Sequence, residues 1–196
     1  MAVGSSVDRH HITVGTDVIE VVDQFPYLGN ILSSDGLACK NVASRIAKAV
    51  AVFGALKLPI FANKTLSLRS KKHVYEAVVL STLLYGAETW TTKVCYLRNL
   101  NTFHRQCVRS IVGVSRHQQW TDRITSATLA SVLGVEEDLA VVIRRHRLRW
   151  LGHVARMEDS RMLKRILFGE LPATRPPHGL KRRWQDVSED LSSRHI

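Results

Sequence analysis

VYEAVVLSTLLY, residues 74–85, carries a single charged residue, Glu76, and apolar side chains in almost every direction a helix can point them. A helix that is apolar nearly all round is a buried one. The longest uncharged apolar stretch, Ala77 to Ala87, is too short to cross a bilayer. These residues are therefore read as the central helix of a soluble bundle, capped at Thr65 and running to about Tyr85.

The same period extends on either side. Val42, Ile46, Ala49, Phe53 and Leu56 share a helical stripe that Pro59 is expected to end. Downstream, Leu97, Leu100, His104, Val108 and Ile111 form the core stripe of a helix over about Lys93–Val112, stopped by Gly113. A shorter helix covers Ile124 to Leu133 and stops at Gly134. Another begins at Glu136–Glu137–Asp138, acids that suit a helix N-terminus, and runs to about Met157. Before residue 38 the period is two. Ile12 and Val14 alternate, Gly15–Thr16–Asp17 is turn chemistry, Val18–Val22 is a β-branched run, and Tyr27–Leu32 reads as a further strand closed by Ser33–Gly36. Past Met157, Ile166–Leu167–Phe168 reads as one strand, Pro172–Gly179 as linker and Lys181–Leu191 as a last short helix. The expected class is mostly α, a helical bundle preceded by a small β-hairpin, with a loosely attached C-terminal segment.

Charge sets the class of partner. The formal net charge is +11, distributed as −3 over residues 1–40, +10 over 41–120 and +4 over 121–196. A basic excess concentrated on the helical middle favours an anionic polymer. Cys39, Cys95 and Cys107 form no closely spaced pair, which fits a reducing compartment, and no apolar h-region follows Met1. An intracellular, non-secreted protein without membrane attachment is expected.

Catalytic constellations are scarce. Metal-dependent polymerases and nucleases need clustered carboxylates, yet no Asp-Asp pair occurs, and Glu136–Asp138 is accounted for as a helix start. His104 and Cys107, with Cys95 on the same helix, lack the spacing of a zinc set and fit the core stripe. His10–His11 forms no set either. No nucleophile elbow and no Gly-rich phosphate loop is present. No cofactor, metal or catalytic residue is assigned. Arginine stripes are the informative pattern. Arg98, Arg105 and Arg109 fall within about 40° on one helix, and Arg145, Arg149 and Arg156 do so on another, beside Gly152. Arginine on one face, with a core stripe on another, can lie along a phosphate backbone. On the second helix Leu139, Ile143, Trp150 and Val154 make up that core face.

Five strings, in order, resemble the end of LINE-type reverse transcriptases of non-LTR retrotransposons: VIEVVDQFPYLGNILSSDG, RIAKAVAVFGAL, YEAVVLSTLLYGAETW, FHRQCVRSIVGVSR and RRHRLRWLGHVARM. The match runs from about Ile12 to Leu191. The resemblance implies that Phe25, Tyr27, Leu28 and Gly29 belong to the primer-grip hairpin, with Pro26 at a variable position. It implies that the helices after it are the thumb, which packs on the template–primer duplex. It divides the chain into the end of the palm with its hairpin (1–38), a thumb-like domain (39–134) and a basic helix with C-terminal extension (135–196). The family's catalytic Tyr-x-Asp-Asp segment lies before the hairpin and has no counterpart in this sequence. The expectation is thus an RNA-directed DNA polymerase fragment, inert by itself, that holds RNA or DNA, chiefly duplex, without sequence preference. The alternative is a small basic nucleic-acid-binding or scaffold protein recruited by a host.

Overall fold

The computed structural model describes residues 12–34, 38–90 and 94–168. Its first part is two separate antiparallel hairpins. Strands β1 (Ile12–Val14) and β2 (Asp17–Ile19) pair with Ile12 opposite Ile19, around Gly15 at φ +65°. Strands β3 (Gln24–Tyr27) and β4 (Asn30–Ser33) pair with Phe25 opposite Leu32 and Tyr27 opposite Asn30. The run Tyr27–Leu32, expected as one strand, folds back on itself at its second and third residues. Leu28 (φ +47°) and Gly29 (φ +77°) both adopt the left-handed conformation that a two-residue hairpin turn demands. Gly29 does so freely, whereas Leu28 carries strain of order 1 kcal/mol.

Seven helices follow among the described residues. Helix α1 (Cys39–Leu56) does not stop before Pro59 but continues as a π-helical turn, Lys57–Phe61. Within an α-helix Pro59 would leave the Ala55 carbonyl without its donor and crowd it with the ring. The wider turn eases that crowding and closes with Ala62 N on Lys57 O at 2.7 Å. Helix α2 is continuous from Leu68 through Leu83, π-helical over Tyr75–Leu80. Its cap is Ser67, whose Oγ accepts from Ser70 N. Thr65 is held outside the helix, donating N–H and hydroxyl to Asn63 Oδ1. The central helix is also less enclosed than its composition implies: Tyr75, Val79, Leu83 and Leu84 are buried, while Val78 is 41% exposed.

Helix α3 (Val94–Val112) buries Tyr96, Leu100, Phe103, His104, Cys107, Val108 and Ile111, and ends at Gly113 (φ +83°). Leu97, expected in that core stripe, is only half-buried. Helix α4 (Arg116–Thr121) was not expected. It is opened by a capping box in which Ser115 and Gln118 each bond the other's backbone N–H. Helix α5 (Ser126–Leu133) is capped by Thr125 and closed by Gly134 at φ +75°. Helix α1 packs on α2 and α3, and α5 lies against α3. Between α1 and α3, Phe53 stacks on Phe61 at 4.8 Å and meets Phe103 edge-on at 6.5 Å.

The described residues divide into two compact units, one within residues 12–86 and 90–139, the other made of Ala87–Thr89 and residues 140–168. The second contains nearly all of helix α6 (Leu139–Ala155) and helix α7 (Met162–Phe168). Ile166–Leu167–Phe168, expected as a strand, belongs to α7. The described strands pair only with each other, β1 with β2 and β3 with β4, and the helix satisfies the backbone groups of this segment locally. Lys164 ties its start down, with Nζ 2.6 Å from Asp159 Oδ1 and 2.9 Å from Met157 O. The expected linker over Pro172–Gly179 and the helix over Lys181–Leu191 lie outside the described residues. No helix among the described residues is long and apolar enough to cross a membrane.

Candidate nucleic-acid interface

Every residue of β3 is exposed, which follows from a two-stranded hairpin having no sheet to cover it. Phe25 (49% exposed) and Tyr27 (56%) alternate onto one face, and Leu28 (72%) caps the turn. The resemblance assigned roles to these residues and to Gly29. The structure brings them to one hairpin end and adds the device that holds it. Arg45, buried in α1, donates from Nη2 to Gly29 O at 2.6 Å and to Asn30 Oδ1 at 3.2 Å. Its guanidinium lies 4.3 Å from the centroid of the Tyr85 ring. Asn41 Nδ2 adds a 3.3 Å bond to Asn30 Oδ1. A methyl on Gly86 would come within 2.6 Å of the Asn30 amide, so the chain after α2 closes on the turn from the other side. Sequence reasoning missed Arg45. The available signal was its position, three residues after Val42 and four before Ala49, in the middle of an apolar stripe.

The first arginine stripe stands on α3. Arg98 and Arg105 are exposed, while Arg109 is half-buried and donates to Gln119 Oε1 of α4 at 3.4 Å. Behind the stripe lies a satisfied polar core. His104 Nε2 sits 2.8 Å from Glu136 O, and a carbonyl can only accept, so this nitrogen carries the hydrogen. His104 Nδ1 then accepts from Tyr75 OH at 2.7 Å. Burial pulls the imidazole pKa below its ordinary value and pushes the Tyr75 phenol well above its own. Cys107, one turn on, is raised to about 12 by the same burial. Asn101 donates to Asp138 Oδ1 at 2.8 Å and accepts Leu139 N at 2.9 Å. His104 and Cys107 are therefore core residues. Among the described residues no group of three or more His, Cys, Asp or Glu is arranged to hold a metal.

The second stripe stands on α6. Arg145 and Arg149 are exposed, and Arg156 lies one residue beyond the helix end. Their field is felt by His146, half-buried beside them. Its pKa is lowered first by burial and then by Arg149 and Arg145, against an opposing pull from Glu88. Gly152 lies against the last of the three arginines. A methyl there would meet Arg156 Nη1 at 3.3 Å, so the glycine seats the arginine's own guanidinium. Leu139, Ile143 and Val154 are buried as expected, joined by Val142 and by Arg147, while Trp150 is only half-buried.

No family model matches this sequence, and no solved structure matches it. An uncharacterized transposon-derived protein of Caenorhabditis elegans is 28% identical over 149 residues, covering 74% of this chain. The aligned part is 51% of the relative, so the chain spans about half the length of the curated relative it matches. This likeness points to a transposon origin.

Proposed function

We propose that this chain is part of a non-LTR retrotransposon reverse transcriptase, its primer-grip hairpin and thumb, which holds template–primer duplex and has no catalysis of its own. The observation that carries the reading is the β3–β4 hairpin, with Phe25 and Tyr27 exposed on it, clamped by Arg45 to the first of a series of basic helices. Five family strings in order and the likeness to a transposon-derived protein support it. In this reading the hairpin presents aromatic side chains to the primer end. The stripes Arg98–Arg105–Arg109 and Arg145–Arg149–Arg156 take phosphates, which positions a duplex without reading its sequence. RNA and DNA strands serve equally, because phosphate is common to both.

The test is fluorescence anisotropy of the full chain with a labelled RNA–DNA hybrid and with unrelated duplexes, over a range of salt. Binding to all of them, with affinity falling steeply as salt rises, is expected. No binding at low salt would overturn the proposal.

A further inference from the structure

Between α1, α3 and α4 lies an open groove of about 540 Å³ that only Arg109 of the two arginine stripes touches. Its inner lining is the half-buried Phe53 with the buried Phe103 and Cys107, forming an apolar floor. The exposed Val50, Lys57 and Arg116 and the half-buried Arg109 lie around it, with no acidic residue among the lining side chains. Gly54 sits on its wall, in the last turn of α1. Glycine within a helix costs about 1 kcal/mol relative to alanine, and a close neighbour would normally explain it. Here a methyl at Gly54 would meet nothing within 4 Å. Among the described residues no packing requires the missing side chain, and its absence keeps the groove open at backbone level.

We infer that this groove binds a single nucleic-acid strand, its phosphates on Lys57, Arg109 and Arg116 and a base or sugar against the exposed part of Phe53. Three cations without a carboxylate select an anion, and an apolar aromatic floor beneath them selects one that carries flat apolar faces. A cationic groove with an aromatic platform is how proteins hold unpaired strands without sequence preference. An unpaired strand can turn the face of a base onto Phe53, which a duplex, with its bases paired and stacked on one another, cannot. The inference rests on the proposed function and adds an unpaired strand to the duplex held by the stripes. Arg109 belongs to both, and its bond to Gln119 fixes it at the border between them.

The experiment compares the full wild-type chain with Gly54→Leu and with the double variant Lys57→Gln/Arg116→Gln. The probes are a fluorescein-labelled oligothymidylate of about twelve nucleotides, within the site sizes such grooves use, and the corresponding duplex. Leucine is a better helix former than glycine, so Gly54→Leu should melt no lower than wild type while filling the groove. It is expected to weaken strand binding about tenfold or more, and duplex binding by less than about twofold. The double variant, changed only at exposed side chains, should lower the salt slope for the strand by about 1.4, at about 0.7 per phosphate contact. Wild-type binding to neither probe would overturn the proposed function and the groove with it. Wild-type binding to the strand that both variants leave unchanged would overturn the groove alone. An equal loss on strand and duplex would refute a site selective for single strands.

Discussion

Arg45 is a charge held in a largely buried setting, and such a charge is tolerated only when its hydrogen bonds are made. It makes two, both from Nη2, to Gly29 O and Asn30 Oδ1, and covers the Tyr85 ring, while its Nε finds no partner among the described residues. Arg45→Met keeps the aliphatic stem and removes both donors, and hydrogen bonds to a charged group contribute about 1.5–3 kcal/mol. The expected result is faster amide exchange over the hairpin, residues 24–33, with the α3 amides around Leu100 unaffected. Unchanged exchange at the hairpin would mean the clamp does not hold it. His104 gives a second residue-scale prediction. Its folded pKa is lowered, so below about pH 6.5 the unfolded chain binds the proton that the folded chain resists. Stability is full above that value and falls as pH drops from about 6.5 toward the lowered pKa. The slope approaches about 1.4 kcal/mol per pH unit. His146 is lowered too and acts in the same direction. Urea titrations at about pH 7.5 and 5.5 should therefore show a lower midpoint in acid, and His104→Gln should shrink the difference without abolishing it.

At the scale of the element, α6 separates exposed arginines from buried apolar side chains by face. At about 100° per residue, Arg145, Arg149 and Arg156 lie together, roughly 120° or more from the face of Leu139, Ile143 and Val154. Replacing the three arginines with glutamine should lower the duplex salt slope by about two to three units while leaving the melting temperature nearly unchanged. An unchanged slope in a folded triple variant would make the stripe a solvated face only. Trp150 sits at the margin of the buried face. Full burial would make Trp150→Ala cost about 3–5 kcal/mol; half-burial places the expected loss lower, at about 1–3 kcal/mol, measurable by urea denaturation. Helix α3 shows the same division, Arg98 and Arg105 outward and His104, Cys107 and Val108 inward.

For the whole molecule, charge and chemistry point the same way. A net charge of +11 favours an anionic partner, and no Asp-Asp pair of the kind with which polymerases place two metal ions occurs in the sequence; in the proposed function the chain holds nucleic acid without extending it. Primer extension with magnesium or manganese should yield no product above a mock preparation. Extension by the purified chain would overturn the reading of it as a holding fragment.

The mostly helical class, the stops of α3 and α5 at Gly113 and Gly134, and the change from period two to period 3.6 near residue 38 were all legible in the sequence. Each depends on side-chain pattern or backbone freedom within a few residues, and such local preferences need no distant partner. The same holds for the exposure of Arg98, Arg105, Arg145 and Arg149, which follows from helical phase alone. What the sequence could not settle depends on groups far apart in the chain. The turn within Tyr27–Leu32 is held by Arg45, fifteen or sixteen residues on, through Gly29 O and Asn30 Oδ1. Ile166–Phe168 is β-branched and aromatic enough for a strand, but a strand needs a neighbour, and the described strands pair only with each other. The groove beside Gly54 exists only because α1, α3 and α4 converge there, and a glycine in a helix gives no local sign of the space it faces. Pattern reports the preference of a segment. Only the packed chain decides which distant group satisfies it.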